Sequence, residues 1–403
     1  MRVLNLANVA GLKRGGGVHE VAFAYFKLQN FKEVDSHLWF PGSKNEEIEI
    51  REDLTNEMKI RIKALDTYLN PNYGLLKKMN FLKKELSDFD LIHQHGLWLR
   101  NSELSIAAAR DNIPVIIQPH GYLEPFSLKM SSLKKKVMYN LFEKINLTRS
   151  SILIGCSERE VKHLRDLFPN KDIALIPNGV WRSFIKKEEK KKSLAEKRKM
   201  LFLSRIHPSK GIERLFLAFS KLNQTRQNSW ELTIAGNGEA IYIESLKAYA
   251  NELGIKDKVI FCGPVFNDNK IKLFDSSDLF VLPTYTENFG IVVAEALARS
   301  VPVLTTYGAP WENLHTTNSG FWVENTQEGI EDGLFEATSK STAELEEMGV
   351  NGRELVLKDY VWEDIGHKTI QLYKWLLGEV SNIPNFVSLG NKKIKNKKMF
   401  KNF

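Results

Sequence analysis

Two α/β domains, each a parallel sheet with helices on both faces, are the fold class this sequence predicts. Three observations carry that prediction. Short, continuously apolar runs alternate with stretches of helical period, which is the pattern of strands buried on both faces. A charge run near the middle interrupts the alternation, which then restarts. At 403 residues the chain is also too long for one core of ordinary size.

In chain order, RVLNLAN reads as a strand, glycines follow, and VHEVAFAYFKL has helical period. LIHQHG is the next strand, then the helix-like SELSIAAARDN, then the strands PVIIQPHG, SILIGCS and IALIPNG. SFIKKEEKKKSLAEKRK, from Ser183 to Lys199, has little to bury and reads as a connection. After it MLFLSRI, ELTIAGNG, KVIFCGPV, DLFVLPT and VPVLTT restart the series. The expected domains are therefore 1–182 and 200–362, with 183–199 as linker and a basic tail at 391–403. Two such sheets joined by a linker put a cleft between them, and ligands of such folds sit at the carboxyl ends of the strands.

Composition excludes several classes. An apolar fraction of 43% with 26% charged residues is that of a globular protein, and no apolar stretch reaches the roughly 18 residues of a membrane span. The N-terminal MRVLNLANVAGLKRGGG lacks the apolar core of a secretory signal. Cys156 and Cys262 are too few and too distant for a disulfide framework or a metal spacing. A cytoplasmic protein is expected. The six lysines of the tail NKKIKNKKMFKNF reduce the net charge from +8 to +2 when set aside. Mixed with Met399, Phe400 and Phe403, they fit an anionic membrane surface or a solvated tail; no nucleic-acid motif accompanies them, and no nucleic-acid partner is expected.

Several short segments can carry chemistry. In NVAGLKRGGGVHE, Gly16 and Gly17 lie between a strand and a helix, where backbone amides can approach a phosphate. The spacing is not GxGxxG, so a dinucleotide site is not expected and a flexible turn is the alternative. In LSRIHPSKGIERL, Arg205 and Lys210 stand in a loop before a helix that starts near Gly211, a cationic setting for a diphosphate. QPHGYLEPF places His120 just past a strand end, where structural and functional roles are both open. His93 and His95 alternate on a strand without a third ligand, and read as structural. Asp88 and Asp90 form a DFD triplet at a strand entrance, where Asp is a common turn residue.

The segment ENFGIVVAE frames an apolar run with Glu287 and Glu295. Gly290 is a plausible helix start, leaving Glu287 in the preceding loop and Glu295 in the second helical turn. Were the helix to run through both, eight residues would set them about 80° apart, on one face. Carboxylates accept from vicinal hydroxyls, and the free amides of Asn288, Phe289, Gly290 and Ile291 would hold phosphate.

Together these residues resemble the retaining GT-B glycosyltransferases of family 4, over nearly the whole chain and most strongly from Met200 to Thr306. The E-x7-E motif matches as Glu287 and Glu295, the phosphate-gripping pair as Arg205 and Lys210, the glycine loop as Gly16 and Gly17, and the first-domain histidine as His120. The resemblance implies two Rossmann-like domains facing a central cleft. It implies that Glu287 holds donor-sugar hydroxyls, Glu295 the ribose, Arg205 and Lys210 the leaving diphosphate, His120 the sugar, and Val265 of CGPV the base. It implies that no metal and no cofactor are needed. It also implies a C-terminal helix, about 363–380, that returns to the first domain; DIGHKTIQLYKWLLGEV has the period for it. GAPWENL, with Trp311 and Glu312, looks like a variant of bacterial surface-polysaccharide enzymes.

The expected function is hexose transfer from a nucleotide-diphosphate sugar to a lipid-linked or oligosaccharide acceptor, forming an α-linkage, in capsule or O-antigen synthesis. The alternatives are a GT-B nucleotide-sugar epimerase and a non-catalytic nucleotide-sugar-binding subunit. In SLKMSSLKKKVMYNLFEKINL, Val137, Leu141 and Ile145 recur at helical spacing opposite lysines. That helix either docks on the inner face of the membrane or presents one core face and one wet face.

Overall fold

The computed structural model describes residues 1–7, 17–31, 34–41, 45, 54–65, 84–97, 101–125, 136–187, 198–222 and 230–391. They form two compact units, Met1–Asn178 with Trp362–Phe403, and Gly179–Val361.

The first unit begins with β1 (Arg2–Ala7), α1 (Gly17–Phe31), β2 (Asp35–Phe40) and β3 (Ile62–Ala64). It continues through β4 (Leu91–His95), α2 (Asn101–Arg110) and β5 (Val115–Gln118). A π-helical turn at Tyr139–Glu143 leads into α3 (Lys144–Arg149), then β6 (Ile152–Gly155), α4 (Glu158–Leu167) and β7 (Ile173–Leu175). These strands pair in parallel in the order β7-β6-β5-β4-β1-β2-β3. Both faces are covered, which is why β4, β5 and β6 are buried at every position. Leu4, Leu6, Ile92, Leu104 and Ile117 belong to one core cluster, and Ala22, Phe26, Leu38 and Phe40 to another. Gly155 lets α4 approach the sheet, since a Cβ there would lie 2.9 Å from the Val161 amide nitrogen.

The second unit repeats the plan. Its strands are β8 (Arg198–Leu203), β9 (Trp230–Ala235), β10 (Val259–Gly263), β11 (Leu279–Leu282), β12 (Val303–Thr306) and β13 (Gly320–Val323). They are interleaved with α5 (Ile212–Lys221), α6 (Ala240–Glu252), α7 (Asn267–Asp275) and α8 (Ile291–Ala298), and followed by α9 (Gln327–Ser339) and α10 (Thr342–Asp359). The order β10-β9-β8-β11-β12-β13 is that of a doubly wound sheet, reversing between β8 and β11. The first sheet reverses in the same way between β1 and β4.

After α10 the chain rejoins the first unit as α11 (Trp362–Leu376) and β14 (Val387–Ser388), which pairs antiparallel with β7. Trp362 meets Tyr25 edge to face at 5.6 Å, and Gly366 lets the helix lie against Leu28 of α1. The division between units falls earlier than 182, because Val180 bridges to Val361, Lys186 N–H donates to the Ala298 carbonyl (3.0 Å) and Arg299 donates to the Phe184 carbonyl (2.8 Å). The start of the expected linker thus packs within the second unit. Residues 188–197 of that linker and 392–403 of the basic tail lie outside the described residues. Among the described residues, no helix is long and apolar enough to cross a membrane.

Candidate functional site

In the second unit the loops that leave β8 and β11 at their carboxyl ends stand side by side, at the reversal of strand order. The β8 loop holds Arg205, which is exposed, and Lys210, which ends a short 3₁₀ turn at Pro208–Lys210. His207 caps that turn, its Nδ1 2.8 Å from Ser209 Oγ and accepting from Ser209 N–H at 3.2 Å. Burial, and then the cations Arg205 and Lys210, lower the His207 pKa, so the ring is neutral and able to accept. Gly211 then starts α5 at φ 68°, where a Cβ would stand 2.3 Å from the Pro283 carbonyl. The two loops are laced together. The Ser209 carbonyl accepts from Tyr285 N–H (3.0 Å) and Thr284 Oγ1 (3.1 Å), and Arg214 donates to the Pro283 carbonyl at 2.6 Å while lying over the Tyr285 ring.

Gly290, at φ 78°, is the N-cap of α8, which begins at Ile291. Glu287 therefore precedes the helix and Glu295 lies in its second turn. Glu287 is ion-paired with Lys210, and Glu295 with Lys270 of α7 at 2.5 Å. All four side chains are largely buried. Phe289 faces inward, packed 5.2 Å from Trp311 and 5.7 Å from Tyr360, while its carbonyl accepts from Trp311 Nε1–H at 2.5 Å. Trp311 is fully buried, so the tryptophan of GAPWENL serves as a clamp on the Glu287 loop. The Glu287 N–H donates to the Gly308 carbonyl at 2.9 Å, a second tie from the same segment. The amides of Asn288 to Ile291 lie at the start of α8, where the first turn has no intrahelical acceptor.

Val265 is half-buried in the turn between β10 and α7. Sequence reasoning passed over Gly236, whose φ of 139° brings its Cα against Ser204; a Cβ would sit 1.8 Å from that carbonyl oxygen. Lys270, Arg214 and Gly236 are the residues around these loops of the second unit that the motifs did not supply. Only the repeated glycines of AGNG gave a sequence signal.

In the first unit His120 follows β5 at φ 55°, a left-handed conformation, with Gly121 next at φ 76°. Glu160 holds this corner in place. Its buried carboxylate accepts from Gly121 N–H (2.7 Å) and Cys156 N–H (2.8 Å). Burial raises the Glu160 pKa, against the pull of those two amides. His120 is itself buried, its Nε2 3.3 Å from His95 Nδ1. His95 Nε2 lies 3.4 Å from Asn5 Oδ1, and His93 Nδ1 2.7 Å from the Tyr373 hydroxyl of α11. The two strand histidines thus belong to a buried polar chain. Gly17 opens α1, and Gly16 lies outside the described residues. Asp90 accepts from Arg2 N–H at 2.7 Å and Asp88 pairs with Arg2 at 3.6 Å, so the DFD carboxylates brace the entrance to β1. Among the described residues no group of three or more His, Cys, Asp or Glu is placed to hold a metal ion.

Residues 16–182 match the family model described as Glycosyltransferase Family 4, and residues 184–355 the model described as Glycosyl transferases group 1. An uncharacterized glycosyltransferase of Methanocaldococcus jannaschii is 34% identical over 182 residues, covering 44% of this chain and 45% of that protein. The GDP-mannose-dependent alpha-(1-6)-phosphatidylinositol monomannoside mannosyltransferase of Mycobacterium tuberculosis is 30% identical over 189 residues, covering 44% of this chain and 48% of the relative. The matches span about half the length of these curated relatives. Among solved structures, Anabaena HepE in complex with UDP-glucose superposes with a TM-score of 0.70 at 17% identity, over 94% of this chain and all of the other, a likeness of fold.

Proposed function

This chain belongs to the GT-B glycosyltransferases of the group 1 and family 4 type, and on that premise we propose that it moves a hexose from a nucleotide-diphosphate sugar to a lipid-linked or oligosaccharide acceptor. The observation that carries the proposal is the pair of lysine-paired carboxylates, Glu287 and Glu295, around the Gly290 helix start and beside the Arg205 loop. A carboxylate offers about four lone-pair sites, so an ion pair with a lysine and acceptance from sugar hydroxyls are compatible on one glutamate. Glu287 takes the donor sugar and Glu295 the ribose. Arg205 and Lys210, with the amides of Asn288 to Ile291, take the diphosphate, and Val265 the base. These cations supply the charge neutralisation a divalent metal would otherwise give to the leaving diphosphate, so the reaction needs no metal or cofactor. Retention at the anomeric carbon and an α-linked product follow from the family motif set. The name of the mycobacterial relative supports a glycolipid acceptor, and the GAPWENL segment supports a place in bacterial surface-polysaccharide synthesis.

A thermal-shift panel of UDP, GDP, ADP and CMP in EDTA tests the donor site, because a ligand that binds only the folded state raises its stability. One diphosphate is expected to raise the melting temperature clearly, and its sugar conjugate to be consumed only when an acceptor is supplied. No shift with any nucleotide would remove the donor site. Conversion of the sugar without acceptor would point to epimerisation instead.

The acceptor proposal has a surface to support it. Val137, Leu141, Phe142 and Ile145 are exposed by 50%, 57%, 37% and 39%, beside exposed Lys136, Lys144 and Arg149. The expected choice between a docking face and a core face for Val137, Leu141 and Ile145 thus ends with all three in solvent. Lys136 and Lys144 flank this stripe; Lys129, Lys134 and Lys135 lie outside the described residues. The buried side is mixed: Tyr139 and Leu147 join the core cluster, and Glu143 accepts from Ser102 Oγ (2.6 Å) and from Asn146 (3.2 Å). An apolar stripe edged with cations suits an anionic membrane on the cytoplasmic side. Leu141→Asp removes about 2 kcal/mol of apolar transfer, so binding to phosphatidylglycerol vesicles should fall roughly 30-fold in flotation assays. Equal flotation of the variant would remove this surface from the docking proposal.

A further inference from the structure

We infer that Asn5, acting through His95, fixes His120 as the tautomer protonated at Nε2, so that its Nδ1 is a hydrogen-bond acceptor reserved for a hydroxyl of the substrate. This deepens the donor-site reading of His120 and rests on it. The inference begins from an acceptor that cannot rotate. The Asn5 amide nitrogen donates to the His37 backbone carbonyl (3.3 Å), to Gln29 Oε1 (2.8 Å) and to Ser36 Oγ (2.9 Å). Flipping the amide would set its oxygen against that carbonyl and against Gln29 Oε1, which already accepts from Ser36 Oγ–H at 2.7 Å. The remaining Asn5 atom, Oδ1, can only accept, and it faces His95 Nε2 at 3.4 Å. His95 therefore carries its proton on Nε2.

A neutral ring has one proton. Burial, then the neighbouring His93 and His120, push the His95 pKa well below its ordinary 6.5, so the second nitrogen, Nδ1, is bare. His95 Nδ1 must then accept, and the donor 3.3 Å away is His120 Nε2–H. His120 is neutral as well, its pKa lowered by burial to about 3. Its single proton is committed to His95, which leaves Nδ1 as a lone pair. No described residue makes a hydrogen bond to that atom. An acceptor there selects an O–H or N–H donor and rejects phosphate or ether oxygens. Gln29 Nε2–H donates to the Tyr373 hydroxyl at 2.7 Å, so the far end of the chain is anchored on α11.

The test is the tautomer itself, read on the full chain. With ¹⁵N-labelled histidine, two-bond ¹⁵N–¹H correlations separate protonated from bare ring nitrogens, and the signals absent from His120→Gln identify His120. The expected result is a bare Nδ1 and a protonated Nε2. The reverse pattern overturns the inference whatever the catalytic role of His120. Asn5→Leu, which removes the acceptor, should redistribute the His120 proton and lower kcat by about 10- to 100-fold with nucleotide affinity unchanged. Asn5→Leu with a wild-type spectrum and kcat would also overturn it. Should that variant not fold, the wild-type spectrum decides. Full turnover in His120→Gln would instead defeat the donor-site reading and leave the tautomer to the spectrum.

Discussion

Glu287→Gln is expected to lower kcat by about 10²- to 10³-fold, the loss usual when one charge-stabilising group is removed from a reacting centre. Nucleotide affinity should hold or rise. The reason is the ion pair with Lys210, in which the two side chains are exposed by only 21% and 11%. Without ligand, Lys210 is neutralised by Glu287, so an incoming diphosphate must compete with a carboxylate for the ammonium. Glutamine keeps the shape and removes the competitor, leaving Lys210 free for the diphosphate.

The reciprocal change separates the roles. Lys210→Ala leaves the Glu287 carboxylate without this lysine and facing the diphosphate, so UDP or GDP affinity should fall by more than one lost attraction. Because the two groups touch, the effects should not add, and a double-mutant cycle should return a coupling of about 0.5–3 kcal/mol. Isothermal titration with the nucleotide, beside initial rates, reads both. Weaker nucleotide binding with intact turnover in Glu287→Gln would reverse the assignment of sugar and phosphate roles.

The fold was legible because its strands are continuous apolar runs, and because SFIKKEEKKKSLAEKRK cannot be buried. The motif residues of the second unit were legible for a related reason. Arg205, Lys210, Glu287 and Glu295 sit at fixed short distances from strand ends, which sequence displays directly. Lys270 was not legible: it reaches Glu295 from another helix, and no spacing links the two. The polar chain behind His120 was invisible for the same reason, since Asn5, Gln29, His95 and Tyr373 come from four elements and meet only in the folded unit. The helix around Leu141 shows a different limit. Its period revealed one apolar face, which the sequence alone left open between a docking face and a core face. Glu143 and Asn146 find partners in Ser102 and Gln94 and are buried beside Tyr139 and Leu147, so the inward side is polar and apolar together.

Those buried rings also make the first unit sensitive to acid. His93 and His120 have pKa values lowered to about 3, and His95 is lowered well below 6.5, burial being the largest cause in each. In the unfolded chain each titrates near its ordinary 6.5. Between those limits the unfolded state binds more protons than the folded one, so stability is full above about pH 6.5 and is lost as the pH falls. Three such groups give a slope of about 4 kcal/mol per pH unit. Glu160 works the other way. Its raised pKa lets the folded state take a proton first, offsetting up to one of the three just above the ordinary carboxyl range. A unit near the low end of the typical range of about 5–15 kcal/mol should open by about pH 5, because the loss of about 4 kcal/mol per pH unit begins near pH 6.5. Amide exchange of β4 and β5 followed from pH 7 to pH 4.5 measures this, and His95→Gln should reduce the slope by about one proton, near 1.4 kcal/mol per pH unit. A wild-type slope of one proton or less would mean that these rings are charged in the folded protein. The acceptor on His120 would then be lost with them.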